Sequence, residues 1–389
     1  MRGRVFNHRI WAGFALAALL GVSPVCGKDH PAGPSVTPTG TPAPAGEGPV
    51  LVVLGYHQFG EKTDKGIATY RVNPREFRWQ LQWIKDQGWT PVTLDQVIAF
   101  YGKGQSLPDK SVLITFDDGF RSVFEVGYPI LREFGYPGVF FVYTDFVRGK
   151  GALALRLEDL DAMASGKVEL ESHSQTHPNM ALWKDFDPPA KYAEEVKREV
   201  GGSRAFLMER FKTPVEAFAY PYGVFNDEIM EAVKAAGYKL AFTVNPGTND
   251  ATIDPLEIRR ELVTIGTKHE RFASFFGPKV LHLEGLTPRD GAVLDDLKPV
   301  VEAKILDDLD PKTLTLRFGD EVMKGLKFDP ITKAFRYPVR VPLVRGGHML
   351  TLTAKDRQGR PRSISAYFRI KKIHPTGAKA APRGKALKK

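Results

Sequence analysis

The chain reads as a parallel α/β barrel followed by a small all-β sandwich, with segments at both ends that cannot bury a core. Three observations predict this. Between Val50 and Gly277 short apolar runs alternate with amphipathic helix patterns, the texture of a sheet built from strand–helix units. After Pro278 the texture changes to alternating apolar and polar residues broken by turns. At 389 residues the chain also exceeds one ordinary core and has room for two.

Residues 1–27 have the layout of a secretory signal: a cationic start (MRGRVFNHR), an apolar run from Ile10 to Val22, and small residues around Ser23-Pro24-Val25-Cys26-Gly27. The apolar run is shorter than a bilayer span needs. Cys26 is the one cysteine, so no intrachain disulfide can form. Two readings of it stand. Lipidation of Cys26 after cleavage would anchor the chain to a membrane, although Ser23-Pro24-Val25 departs from the Leu-x-Gly/Ala usual before such a cysteine. Ordinary cleavage after Gly27 would release it. Either predicts export, to the periplasm, to the outer membrane or cell surface, or as a secreted protein. Residues 28–49, rich in Pro, Gly, Ala and Thr, form a flexible spacer.

Within 50–277 the strand candidates are VLVVLGYH, VLITFDD, GVFFVYT, VELESHS, EAFAYPY, LAFTV and RRELVT. A helix is predicted over NPREFRWQLQWIKDQG: Asn73 caps it, Pro74 suits the first turn, Phe77, Leu81 and Ile84 share a face, and Gly88 ends it. Seven or eight such units in about 230 residues favour a barrel or distorted barrel over an open sheet. An open doubly wound sheet stands as the alternative, because no glycine-rich dinucleotide or phosphate loop decides the point.

Residues 278–373 carry the strand patterns TLTLRFG, FRYPVRV, HMLTLTAKD and SISAYFRI, read as a β-sandwich. The run from Thr287-Pro288-Arg289-Asp290-Gly291 through Gly347-His348 to Asp356, Gly359 and Phe368 resembles bacterial immunoglobulin-like repeats, usually spacers or adhesive modules. Residues 374–389 form a basic, disordered tail.

The net charge of +10 is confined to the ends. Arg2, Arg4 and Arg9 supply three charges, and Lys371 to Lys389 supply seven with no acid. Residues 10–370 are formally neutral, so a folded basic face for nucleic acid is not indicated.

Three segments carry candidate chemistry, and each follows a strand. Thr115-Phe116-Asp117-Asp118-Gly119 places two adjacent carboxylates after a buried run, which is costly unless positive charge lies beside them. In His173-Ser174-Gln175-Thr176-His177 the histidines are four apart, a spacing that puts both on one side of a helical turn, within reach of one ion. Two histidines and a carboxylate leave one position of a zinc site open for water. Phe218-Ala219-Tyr220-Pro221-Tyr222-Gly223 is the third. In a parallel barrel the C-terminal strand ends share one face, so the three converge.

Together with Gly55-Tyr56-His57 and Pro129-Ile130-Leu131, these segments resemble the motifs of the NodB-homology polysaccharide deacetylases, carbohydrate esterase family four, over about residues 50–277. The resemblance implies a distorted (β/α) barrel with a divalent metal, usually zinc, that removes acetyl groups from an N-acetylglucosamine polysaccharide. It implies Asp118, His173 and His177 as metal ligands and Asp117 as general base. Tyr222 corresponds to the residue whose backbone N–H stabilises the oxyanion. His57 ends the first strand as a further catalytic candidate, or as a structural histidine bonded to backbone.

Two departures stand out. The third motif's arginine, which steadies the base, is replaced by Ala219, with Arg260 the candidate substitute. The final leucine–histidine pair that supplies the general acid has no good counterpart, because Leu281 and His282 are adjacent rather than two apart. These departures motivate the alternative of a non-catalytic sugar-binding protein on the same scaffold. The Tyr-His start and weak final motif are similar to the exported poly-N-acetylglucosamine deacetylases.

Overall fold

The computed structural model describes residues 48–61, 68–149, 151–164, 168–183 and 188–371. The signal with Cys26, all but the end of the spacer, and the basic tail lie outside them.

The apolar runs are strands: β1 (Val50–Tyr56), β3 (Lys110–Asp118), β4 (Gly138–Val142), β5 (Val168–Ser172), β6 (Ala217–Ala219), β7 (Leu240–Phe242) and β8 (Glu261–Leu262). A two-residue strand not foreseen in the sequence, β2 (Thr90–Pro91), pairs with the start of β3. The order is β8-β1-β3-β4-β5-β6-β7, with every pairing parallel. Ile258 bridges Phe242 in β7, and Glu261 pairs with Leu54 in β1. One short segment therefore spans the seam and curls the sheet into a distorted barrel.

Strand alternation divides the core into two layers. Leu51, Val53, Leu113, Phe141 and Phe242 pack together in one cluster, while Val52, Leu54, Ile114, Phe116 and Phe140 pack in the other. The predicted helix is α1 (Pro74–Asp86): the Asn73 side chain accepts from Arg75 N, Phe77, Leu81 and Ile84 are buried, and Gly88 takes φ 70° beyond its end. The next helix, α2 (Leu94–Lys103), sends Val97, Ile98 and Phe100 into the first cluster. A long helix, α3 (Pro189–Phe211), packs on β5 and on α4 (Asp227–Ala235).

From Lys279 to Ile370 the regular structure is all β, in two sheets around their own apolar cluster. The first contains β9 (Lys279–Val280), β11 (Val293–Leu294), β13 (Leu309–Phe318), β14 (Glu321–Val322), β17 (Gly346–Asp356) and β18 (Pro361–Ile370). The second contains β10 (Leu283–Thr287), β12 (Val300–Ile305), β15 (Lys327–Phe328) and β16 (Ala334–Pro338). The four sequence patterns fall on β13, β16, β17 and β18.

The barrel and the β unit meet through buried polar groups. Asn245, after β7, donates its side-chain amide to Asp290, which also accepts from Gly291 N and Tyr367 N. Arg259 donates to the Ser365 carbonyl at 3.3 Å, and Arg369 to the Ala181 carbonyl at 3.2 Å. His282 lies between Asp250 of the barrel and Asp307 of the β unit, with ring nitrogens 2.9 Å from each. Both of its nitrogens are thus engaged at the junction.

The hydrogen bonds to Asp250 and Asp307 raise the His282 pKa to about 9. Because this is above the unfolded value, its stabilisation is complete below about pH 6.5 and is lost as pH rises through about 9. The thermal midpoint should fall across that window. In His282→Ala, which costs on the order of 2 kcal/mol at pH 6.5 by removing two charge-assisted bonds, calorimetry should find the fall much reduced.

Candidate metal centre

The three motif segments meet at the C-terminal ends of β3, β5 and β6. β3 delivers Asp117 and Asp118, β5 runs directly into His173, and the turn after β6 presents Tyr222. Each segment bends sharply there. Of the six non-glycine residues with positive φ among those described, four are Asp118 (74°), Ser174 (70°), His177 (58°) and Tyr222 (59°). Such backbone is held only where its surroundings impose it, and it concentrates at functional sites.

The convergence of His173 and His177 has a different origin from the one the spacing suggested. Residues 173–179 form no helix; the left-handed conformations of Ser174 and His177 turn the chain back on itself. The Ser174 hydroxyl closes that turn by accepting from His177 N at 3.0 Å.

His173 Nδ1 lies 2.7 Å from the Ala219 carbonyl. A carbonyl only accepts, so Nδ1 carries the proton and Nε2 faces the cluster with a lone pair. The two Nε2 atoms are 3.1 Å apart, and Asp118 Oδ1 lies 3.5 Å from that of His173 and 3.4 Å from that of His177. Asp118 Oδ1 is buried and has no hydrogen-bond partner. Burial pushes both histidine pKa values down to about 4, leaving neutral imidazoles at physiological pH. Two neutral imidazole nitrogens and an unpartnered carboxylate oxygen, all within 4.8 Å of one another, fit a divalent cation.

Asp117 faces a different environment from its neighbour. Burial alone would raise its pKa, but the Arg260 charge, His173, His57 and the Arg260 hydrogen bond together hold it at about 2. Arg260 is fully buried; its Nη1 donates to Asp117 Oδ1 at 2.7 Å and to Thr115 Oγ1 at 3.2 Å, and its Nε donates to the Thr243 carbonyl at 2.8 Å. Arg260, the candidate substitute for the arginine missing at Ala219, is thus the cation in contact with Asp117. Asp118, in contrast, is raised, first by burial. Adjacent carboxylates so separated are suited to separate roles.

His57 Nε2 lies 4.0 Å from Asp117 Oδ2. Its ring stacks on Tyr70 at 4.7 Å, and Nδ1 is buried with no partner among the described residues. Tyr222 is 38% exposed, and its ring lies 4.7 Å from that of His177. Sequence reasoning missed two aromatic neighbours. Tyr143, 5.2 Å from His177, directly follows β4 and was accessible to the strand-end argument, whereas Tyr70 comes from a single 3₁₀ turn with no motif of its own.

A curled parallel barrel with an acid, a second acid and two imidazoles at its C-terminal rim defines the class as a NodB-homology barrel. The family described as polysaccharide deacetylase matches residues 104–241. Among curated proteins, the poly-beta-1,6-N-acetyl-D-glucosamine N-deacetylase of Staphylococcus aureus is 31% identical over 199 residues, covering 48% of this chain and 68% of the relative. The Staphylococcus epidermidis protein of that name is 28% identical over 232 residues, covering 55% and 78%. Among solved structures, IcaB from Ammonifex degensii is 27% identical with a TM-score of 0.50, covering 59% of this chain and 97% of that one. The Streptococcus pyogenes deacetylase PplD, solved with acetate, shares the fold at 24% identity and a TM-score of 0.52, covering 59% and 99%. The chain belongs to the polysaccharide deacetylase family and is an enzyme of the polysaccharide N-deacetylase class.

Arg260→Met should leave Asp117 buried without its counter-charge. We expect a loss of roughly 3–5 kcal/mol of stability, read from the urea midpoint at neutral pH.

Proposed function

We propose that the chain hydrolyses N-acetyl groups of a β-1,6-linked N-acetylglucosamine polymer in the cell envelope or outside the cell. Asp118, His173 and His177 would hold a divalent metal, and Asp117 would be the base. The observation that carries this reading is the pairing of an unpartnered Asp118 oxygen and two neutral imidazoles with an aspartate kept ionised by Arg260. The staphylococcal relatives supply the polymer, and the signal-like N-terminus supports export. No helix among the described residues is long and apolar enough to cross a membrane. We assign catalysis to residues 50–277, and read 278–373 as a separate, immunoglobulin-like β-sandwich.

A divalent cation at this cluster, of which zinc is the one best matched to an Asp–His–His donor set, would polarise the acetyl carbonyl and acidify water. The protein supplies the rest. Amide hydrolysis consumes one water, breaks the C–N bond and yields acetate and a free amine, so a proton must travel from the water to the amine nitrogen. Asp117 Oδ2 is the oxygen left to accept it, because Oδ1 is occupied by Arg260. His57 and His173 both lie 4.0 Å from Oδ2, but His173 is committed to the cluster. That leaves His57 Nε2 to pass the proton on. The Tyr222 N–H is assigned to the developing oxyanion.

Acetate release from poly-β-1,6-N-acetylglucosamine oligomers should require added metal and cease with a chelator. Asp117→Asn should lower kcat by roughly 10²–10⁴ with metal content unchanged, and His57→Gln should do the same to a lesser degree. Full turnover by metal-free protein, or by Asp117→Asn, would overturn the assignment.

A further inference from the structure

The two histidines of the cluster sit on a turn with two left-handed residues, so something outside the cluster must hold that turn in place. α3 supplies it. Glu199, in the middle of that helix, is fully buried. Its Oε2 accepts from the backbone N–H groups of Gln175 (3.1 Å) and Thr176 (2.8 Å), and its Oε1 accepts from the Thr176 hydroxyl at 2.8 Å. One helical turn on, Ser203 hydrogen-bonds Ser172 at 2.7 Å, just before His173. The turn's outer side is tied to the chain after β4, where Asp145 N donates to the Gln175 carbonyl at 2.9 Å.

A carboxylate buried in a helix costs several kcal/mol to desolvate, and an apolar residue would pack there more cheaply. An acceptor-only group is nonetheless what this position demands, since three donors converge on it and all lie between the two histidines. Glutamine would turn a donating amide toward those donors.

We infer that Glu199 is a positioning residue for the metal centre: it fixes the turn that sets the separation of the His173 and His177 Nε2 atoms, and thereby the affinity of the site. It touches neither ion nor substrate. The inference rests on the reading of Asp118, His173 and His177 as ligands.

The test is competitive zinc titration of the purified full chain against a chromophoric chelator, with metal-free melting to establish that each variant is folded. Glu199→Gln should bind zinc 10- to 100-fold more weakly, the range typical for loss of an outer partner of metal ligands. Thr176→Val removes one of the three bonds without altering charge, and should weaken zinc roughly threefold. Should Glu199→Gln fail to fold, Thr176→Val decides alone. His173→Ala separates the two levels of the argument. If it binds zinc as tightly as the parent, the ligand assignment has failed. If it loses zinc while folded Glu199→Gln, or failing that Thr176→Val, keeps parental affinity, the role of Glu199 is overturned.

Discussion

The contact between Arg260 and Asp117 is the constraint on which the rest of this site depends. β3 ends in two consecutive carboxylates inside a barrel, and two such charges cannot both be buried there without compensation. Arg260 resolves the conflict asymmetrically. It holds Asp117 through Oδ1 and leaves Oδ2 facing the histidines, while Asp118 Oδ1 is buried with no hydrogen-bond partner among the described residues. Buried ion pairs seldom add much stability over apolar packing, so the worth of this one lies in separating the roles of neighbouring carboxylates.

Much of this was legible in the sequence because it is local. Asn73 and Pro74 start α1 and Gly88 follows its end, by rules that act within a few residues. The apolar runs before Asp117, His173 and Tyr222 place all three at strand ends, and a parallel barrel gathers strand ends on one rim. What escaped is non-local. Arg260 lies 143 residues from Asp117, and only the absence of arginine at Ala219 pointed to it. Tyr70 reaches His57 from a turn that carries no pattern.

Two cases lie in between. The spacing of His173 and His177 suggested a helical turn, but the structure achieves the same convergence with left-handed backbone, which is invisible to periodicity. Glu199 falls within the buried stripe of α3, alongside Val196, Val200 and Ser203. A charged residue in an apolar stripe is a signal that the helix faces something polar, though the stripe alone cannot say what.

The bond from Asn245 to Asp290 bears on modularity. Asn245 also receives the Arg260 backbone N–H on its carbonyl, so the segment that presents the arginine to Asp117 is fastened on its far side to the β unit. The family match spans residues 104–241, inside the barrel, which invites trimming the chain to that unit. Cutting at the junction would strip Arg259, next to Arg260, of its bond to Ser365, and Asn245 of its bond to Asp290. Here the appended unit is hydrogen-bonded to the segment that carries Arg260, so the boundary between scaffold and accessory runs beside the site's own foundations.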